Sequence, residues 1–562
     1  MLEKKDSYRD TYQAFRWDIP DIYNMGVDVC DKWAQSDPDR LAIHEVSEKK
    51  LSRDLSFGAM RDMSNRLANR LKHHGIRGME RPGDVGDRIG VLLPQCLETA
   101  VAHIAAWKMG CVSLPLFSLF GEEALVHRLK DSGARAVITN REGARKIASL
   151  RNDLPELALV LSIDGIDIGA FGFHVEIQQE SPVFEPVVTR ADDPALLIYT
   201  SGTTGLPKGA LHGHRVLLGH LPGVEMHHDF LPLPGDKVWT PADWAWIGGL
   251  MDVLMPALHL GLPVVAGRVE KFTGEWAFDF IHKQGIRNAF LPPTALKLMR
   301  QVPEAKRPTV RMRSVGSGGE ALGHELLDWG REVLGVTINE FYGQTECNVV
   351  LSSCSSLGVN KTGFIGKAVP GHVVEVIDDQ TGDVMPAGEQ GAIAVLSPDP
   401  VMFLRYWNRP DATAEKYLDG PRGKRWLLTG DQGLKDDEGY IQFVGRDDDV
   451  IGSAGYRIGP VEVEDCLLQH PAVQMAGVVA KPDPMRNSVV AAYILLSDNY
   501  EPSDDLADEI AQFVKHRLAA HEYPRVVRFI EEMPMTTSGK IIRASLRAMA
   551  EAEAKAEQEA KV

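Results

Sequence analysis

The stretch Tyr199-Thr200-Ser201-Gly202-Thr203-Thr204-Gly205-Leu206-Pro207-Lys208-Gly209 constrains this chain more than any other. Three glycines, four aliphatic hydroxyls and one lysine fall within eleven residues. The apolar run Ala195-Leu196-Leu197-Ile198 just before it reads as a buried strand. Glycines let backbone N–H groups approach an anion, Ser and Thr donate hydrogen bonds, and the lysine adds charge. A strand feeding such a turn suits polyphosphate. The spacing excludes the Gly-x-x-x-x-Gly-Lys-Ser/Thr loop, because Lys208 stands between Pro207 and Gly209.

A chain of 562 residues exceeds what one core serves, so two or more domains are expected. Its 44% hydrophobic and 25% charged residues are ordinary globular composition. The formal net charge of −17 argues against nucleic acid or an anionic membrane as the main partner. Met1-Leu2-Glu3-Lys4-Lys5-Asp6 is followed by no apolar signal segment, and no run of 18 apolar residues reads as a membrane span. Cys30, Cys96, Cys111, Cys347, Cys354 and Cys466 are scattered without Cys-x-x-Cys spacing, which fits a reducing cytoplasm.

The first ~190 residues alternate helical and strand-like segments. Helices are expected at 60–73, 97–109 and 121–131, and strands at 88–93, 111–116 and 134–139. Such alternation predicts βαβ units and a largely parallel sheet. A second helix–strand series runs from Leu250 to about Asn339, and short strands with Gly and Pro turns fill 363–444. Together these predict an α/β fold: a large N-terminal domain (1–446) of βα layers with a β-rich subdomain, then a small α+β domain (447–547). Residues 548–562 are Ala/Glu/Lys-rich and read as a polar, solvated tail.

Four further segments carry chemistry. In Asn339-Glu340-Phe341-Tyr342-Gly343-Gln344-Thr345-Glu346 an aromatic pair offers a flat surface to a purine, and Glu346 suits Mg²⁺. Leu427-Leu428-Thr429-Gly430-Asp431 ends a strand on a carboxylate that can accept both ribose hydroxyls, or that simply makes an Asx turn. Gly445-Arg446-Asp447-Asp448-Asp449 precedes Ala454-Gly455-Tyr456-Arg457-Ile458-Gly459-Pro460. Near the end, Pro534-Met535-Thr536-Thr537-Ser538-Gly539-Lys540 presents a lysine on a polar loop.

These five segments, in this order, resemble the signature motifs of the adenylate-forming superfamily, and most nearly its short- and medium-chain acyl-CoA synthetases. The resemblance runs from about residue 30 to 547. It implies an ATP-dependent acid–thiol ligase that makes acyl-CoA through an acyl-adenylate, with ATP and coenzyme A as substrates and Mg²⁺ as cofactor. By that resemblance Thr200, Ser201, Gly202, Thr203, Thr204, Gly205 and Lys208 form the phosphate loop, and Gly318, Gly319, Glu320 and Ala321 flank adenine. Glu340, Phe341, Tyr342, Gly343, Gln344 and Thr345 bind nucleotide, while Glu346, with Thr203, holds Mg²⁺. Asp431 takes the ribose, Arg446 stands beside ribose and phosphate, and Lys540 is the catalytic lysine, with Thr345, Glu346 and Lys208 assisting. Asp448 is the hinge about which the small domain turns as a lid.

The same resemblance places coenzyme A along Ala454, Gly455, Tyr456 and Arg457 and against Arg486, Lys515, Tyr523, Pro524 and Arg525. Ala454 and Glu522 depart from the subgroup's usual serine and lysine. The acyl pocket falls on Trp244, Trp246, Gly248, Gly316 and Ser317, which suits a short, medium or branched chain or an aryl acid; packing is the competing use of the tryptophans. Pro534 to Lys540 resembles the acetylation site of bacterial relatives, implying an acetyltransferase and a deacetylase as partners. Two other readings stay open: an adenylation enzyme loading a carrier protein, and a catalytically silent nucleotide-binding module. His212, His214, His220, His227 and His228 invite a metal reading but suit packing better, and Cys347 is a reactive thiol only if exposed.

Overall fold

The computed structural model describes residues 1–47, 52–200, 207–267, 271–319, 322–446, 449–453, 456–483, 487–518, 523–536 and 540–559. Two compact units emerge: Met1–Val374 with Val395–Tyr417 and Lys424–Leu427, and Glu375–Ala394 with Leu418–Gly423 and Leu428–Val562.

The first unit contains two large sheets. In one, the strands Arg88–Leu92, Val112–Pro115, Ala134–Thr139 and Leu159–Ser162 run parallel, as the alternating pattern predicts. Their near-continuous apolar runs are buried on both faces, which is what helices on either side of a parallel sheet require. The helix Phe57–His73 starts where Ser56 accepts a hydrogen bond from Ala59 N, and it buries Phe57, Met60, Leu67 and Leu71. Leu97–Lys108 is wholly buried and takes Glu98, His103 and Lys108 with it into the interior. The strand Pro194–Thr200 joins this sheet beside Val112–Pro115 and then turns back as Lys208–Gly213.

The second sheet runs parallel from Leu41–Val46 through Val264–Gly267, Val238–Trp239, Asn288–Phe290 and Ser314–Gly318 to Ile338–Gln344. There the chain reverses into Cys347–Ser352. Arg53, on the edge strand Ser52–Ser56, reaches the Glu98 carboxylate at 2.7 and 3.0 Å, and His174 approaches it at 3.3 Å. Burial pushes the Glu98 carboxyl up, but the bonds from His174 and Arg53 outweigh it and hold it at about 2. A folded-state value below the unfolded one stabilises above about pH 4.5, and that contribution is lost as pH falls toward 2. Acid titration of unfolding free energy is expected to slope downward through this window and to flatten in Arg53→Ala.

The second unit holds most of a five-stranded sheet in which Arg425–Lys435 pairs antiparallel with Ile441–Arg446. Beyond it, Val473–Asp483, Asn487–Leu496 and Val526–Phe529 form a three-stranded sheet packed by the helices Pro460–Leu467, Asp504–Arg517 and Arg543–Glu559. The expected solvated tail needs correction, because residues 548–557 belong to that last helix. Ala550 and Ala554 are buried, and Lys481 reaches Glu557 at 2.7 Å. Ala550 and Ala554, at i and i+4, face the sheet and Glu553 and Glu557 beside them bond its Lys481, so a polar composition concealed a packed stripe.

Candidate active site

The glycine- and hydroxyl-rich stretch is the connection of an antiparallel hairpin. Thr200 pairs with Lys208 across it, so the return strand opens on the lysine. Ser201, Gly202, Thr203, Thr204 and Gly205 lie outside the described residues. The Lys208 ammonium sits 5.4 Å from the centroid of the Tyr406 ring, and Tyr406 pairs with Ala210 on the neighbouring edge strand. The Tyr406 hydroxyl in turn donates to the Glu346 carboxylate. Glu346 is only 6% exposed, and its backbone carbonyl accepts from Phe403 N at 2.9 Å.

Thr345 and Glu346 form the two-residue turn between Ile338–Gln344 and Cys347–Ser352. The turn is tight. A Cβ at Gly343 would fall 2.3 Å from Val349 N, so only glycine fits. Opposite it, Val349 holds φ 51°, a costly conformation for a β-branched residue. The Gln344 side-chain oxygen accepts from Lys416 at 3.2 Å.

Residues along Ile338–Gln344 point alternately to the two faces of the strand, and this corrects the expected aromatic pair. Phe341 points inward, stacked on His227 at 4.4 Å and 19° and set 5.2 Å from Phe290. Tyr342, by contrast, is half-exposed. Glu340 accepts from Leu322 N at 3.0 Å, which fixes the chain just past the loop expected to flank adenine. In that loop Gly318 abuts Phe341 and Gly319 holds φ 96°; Glu320 and Ala321 lie outside the described residues.

The expected acyl residues divide. Trp244 is fully buried in the main core, and the Ser317 hydroxyl is committed to Leu291 O at 2.7 Å. Trp246 is half-buried, 5.6 Å from Phe117. Gly316 and Gly248 border the inward aromatic group: a Cβ would come within 2.5 Å of the His227 ring at the first and 3.0 Å of the Phe290 ring at the second. Burial pushes the His227 imidazole down to about 3, so it serves as a neutral aromatic plate.

In the second unit Asp431 and Arg446 pair across adjacent strands, with Nη1 3.2 Å from Oδ1. Lys540 is exposed on a turn closed by Lys540 N to Thr536 Oγ1 (3.0 Å) and Thr536 N to Lys540 O (2.7 Å). Lys515 and Arg525 flank the Tyr523 ring at 5.2 and 4.9 Å, with buried Pro524 between Tyr523 and Arg525 in sequence. Tyr456 and Arg457 lie on a short strand paired to Ser453 and Gly452. Asp448, Ala454, Gly455 and Arg486 fall outside the described residues.

The histidines are packing groups. Burial pushes His212 and His214 down to about 3 and His220 to about 4, and the His228 imidazole meets Ser314 Oγ at 2.9 Å. Cys347 is fully buried, so the exposure a reactive thiol needs is lacking. Sequence reasoning missed Tyr406, Phe290 and Asp252. Only Asp252 carried a readable signal, a lone acid four residues after Gly248 inside the apolar run Leu250 to Leu254.

Comparison with known proteins matches residues 30–407 to the AMP-binding enzyme family and 462–540 to the AMP-binding enzyme C-terminal domain. The chain is 32% identical over 558 residues to the acetyl-coenzyme A synthetase of Bacillus subtilis (strain 168), covering 96% of this chain and 95% of that one. It is 32% identical over 544 residues to the mitochondrial acyl-coenzyme A synthetase ACSM2 of Rattus norvegicus, covering 94% and 92%. Among solved structures, Brucella canis acyl-CoA synthetase superposes with a TM-score of 0.72 at 32% identity, over 97% of this chain and 99% of that one. The anthranilate CoA ligase AuaEII in complex with anthranoyl-AMP gives 0.83 at 26% identity, over 95% and 98%.

Proposed function

This chain belongs to the AMP-binding enzyme family, and on that premise we propose that it joins a carboxylic acid to coenzyme A through an acyl-adenylate, releasing AMP and pyrophosphate. The observation that carries this reading is the assembly of Lys208, Tyr406 and Glu346 beside the Thr345–Glu346 turn. The acid's carboxylate oxygen attacks the α-phosphorus of ATP, the bond to the bridging oxygen breaks, and pyrophosphate leaves. Negative charge grows on the phosphoryl oxygens, so positioned donors and cations lower the barrier. Thr345 supplies a hydroxyl, Lys208 a cation near the departing phosphates, and Lys540 a cation for the adenylation step. The coenzyme A thiolate then attacks the acyl carbon and AMP departs.

Mg²⁺ is part of the proposal. Glu346 offers a nearly buried hard oxygen donor already oriented by Tyr406, which fits a cation held by one carboxylate plus substrate phosphates. When bound, the ion would neutralise phosphate charge; Glu346, with Thr203, would hold it. Asp431 with Arg446 would take the ribose, and the Lys515–Tyr523–Arg525 group, two cations on one ring, suits the anionic nucleotide end of coenzyme A. Residues 447–547 would act as a lid hinged at Asp448 that presents Lys540 and then withdraws to admit the thiol. Acetylation of Lys540 would silence adenylation alone. Six buried cysteines, none in a disulfide, support a cytoplasmic site of action.

The test is pyrophosphate release across a panel of short, medium, branched and aryl acids, with and without coenzyme A. Release together with acyl-CoA formation is expected. Adenylate formed without any thioester would point to a carrier protein as acceptor, and no release on any acid would overturn the reading. Tyr406→Phe should raise the KM for ATP–Mg²⁺ and lower kcat/KM by roughly 10- to 100-fold, the loss of one charge-assisted hydrogen bond worth ~1.5–3 kcal/mol. Steady-state kinetics at varied Mg²⁺ checks this.

A further inference from the structure

Asp252 lies in a π-helical turn, Leu250–Leu254, that interrupts the helical segment running from Ile247–Gly249 to Met255–His259. Such turns insert one residue into the helical ladder and concentrate at functional sites. Everything else in Leu250 to Leu254 is apolar and buried, and Asp252 itself is 1% exposed. Its Oδ1 accepts from Asn348 Nδ2 at 2.8 Å. Its Oδ2 takes no hydrogen bond from the described residues and faces Gly248, where a Cβ would lie 3.5 Å away.

A second polar atom beside it is also unused. His220 donates from Nδ1 to Val216 O at 2.7 Å, leaving Nε2 as a bare acceptor 3.8 Å from Asp252 Oδ1, and Nε2 has no partner among the described residues. Burial raises the Asp252 carboxyl well above the usual range against the lowering effect of the Asn348 bond, so the group gains from any partner that hydrogen-bonds it. One oxygen of a side chain only 1% exposed is thus left without a hydrogen bond from the described residues, and such groups call for a cause. Gly248, itself one of the expected acyl-pocket residues, gives the cause a direction, since it borders Phe290 of the Phe290–Phe341–His227 group.

We propose that Asp252 is a specificity-determining residue that selects an acyl group bearing a hydroxyl, which hydrogen-bonds Oδ2 beside Gly248. The inference rests on the acid-activating reading given above. A hydroxyl both donates and accepts, so it pairs with Asp252 in either protonation state. An acid of the same skeleton without the hydroxyl leaves the carboxyl unpaired, and sites built around such a bond reject the bare analogue strongly.

The experiment is ATP–pyrophosphate exchange by the full-length protein with matched acids: meta- and para-hydroxybenzoate against benzoate, and ω-hydroxy against unsubstituted straight-chain acids. The hydroxylated member of at least one pair should have a kcat/KM roughly tenfold or more higher, within the discrimination open to a hydrogen-bonding site. Asp252→Leu should erase or invert that ratio. Asp252→Asn, which keeps the shape and an oxygen, should retain the preference and guards against misfolding of the leucine variant. Equal kcat/KM within every pair, or a preference unchanged in Asp252→Leu, overturns the inference while acid activation stands. Absence of exchange with every acid overturns both.

Discussion

Lys540→Ala is expected to slow acyl-adenylate formation by roughly 10²–10³, while thioester formation from a supplied acyl-adenylate stays near the wild-type rate. The reason lies in where charge develops. Removing one group aimed at the growing phosphoryl charge costs ~2.7–4 kcal/mol of barrier. The exposed ammonium, on a turn fixed by two bonds to Thr536, is free to serve a different partner from the rest of its unit. Thioester formation has no departing pyrophosphate and should not need it. Lys540→Gln, which resembles the acetylated side chain, should behave alike. The check is pyrophosphate release against conversion of synthetic acyl-adenylate with coenzyme A. Equal losses in both half-reactions would sink the assignment.

Asp236→Ala should have the largest effect on stability. Asp236 is held by Arg313 through two parallel bonds, Nε to Oδ1 at 2.8 Å and Nη2 to Oδ2 at 2.9 Å, and it also accepts from Leu233 N at 2.8 Å. Its side chain is fully buried and that of Arg313 is 13% exposed. Arg313 Nη1 continues to His228 O at 2.9 Å, tying the end of the helix Val216–His227 to the start of the strand Ser314–Gly318. Deleting the carboxylate strands a mostly buried guanidinium, which typically costs ~3–5 kcal/mol. The loss should appear as a lower urea midpoint for the unfolding transition of the first unit. Asp236→Leu combined with Arg313→Met should be less destabilised than the single variant, because no charge is then left unpaired. A single-variant loss below ~1 kcal/mol would refute this account. Because the pair anchors the strand carrying Gly316, acyl-adenylate formation should fall with stability.

Much of the first unit was legible because its strands are continuous apolar runs and its helices have clear starts. Ala134–Thr139 matches its expected span, and Arg88–Leu92 and Leu97–Lys108 end one residue early. The glycine- and hydroxyl-rich stretch announced itself through composition, and the signature motifs through their order. What stayed hidden was which way each side chain faces. Phe341 and Tyr342 are equal in sequence, yet strand alternation sends one to the interior and the other outward. Ser317 looked like a pocket residue until its hydroxyl was seen on Leu291. The tail looked solvated because its alanine stripe is narrow beside its glutamates.

The sequence by itself determined the family, the class of reaction and the identity of the charged residues, because local order and residue chemistry survive without coordinates. Only the tertiary structure decided that Tyr406 orients Glu346, that Lys208 begins a return strand, and that Asp252 lies one helical turn beyond Gly248 beside Asn348. These partners are separated by 60 residues for Tyr406 and Glu346 and by 96 for Asp252 and Asn348. No local pattern records such pairings; they follow from sheet order and from the requirement that buried polar groups find partners.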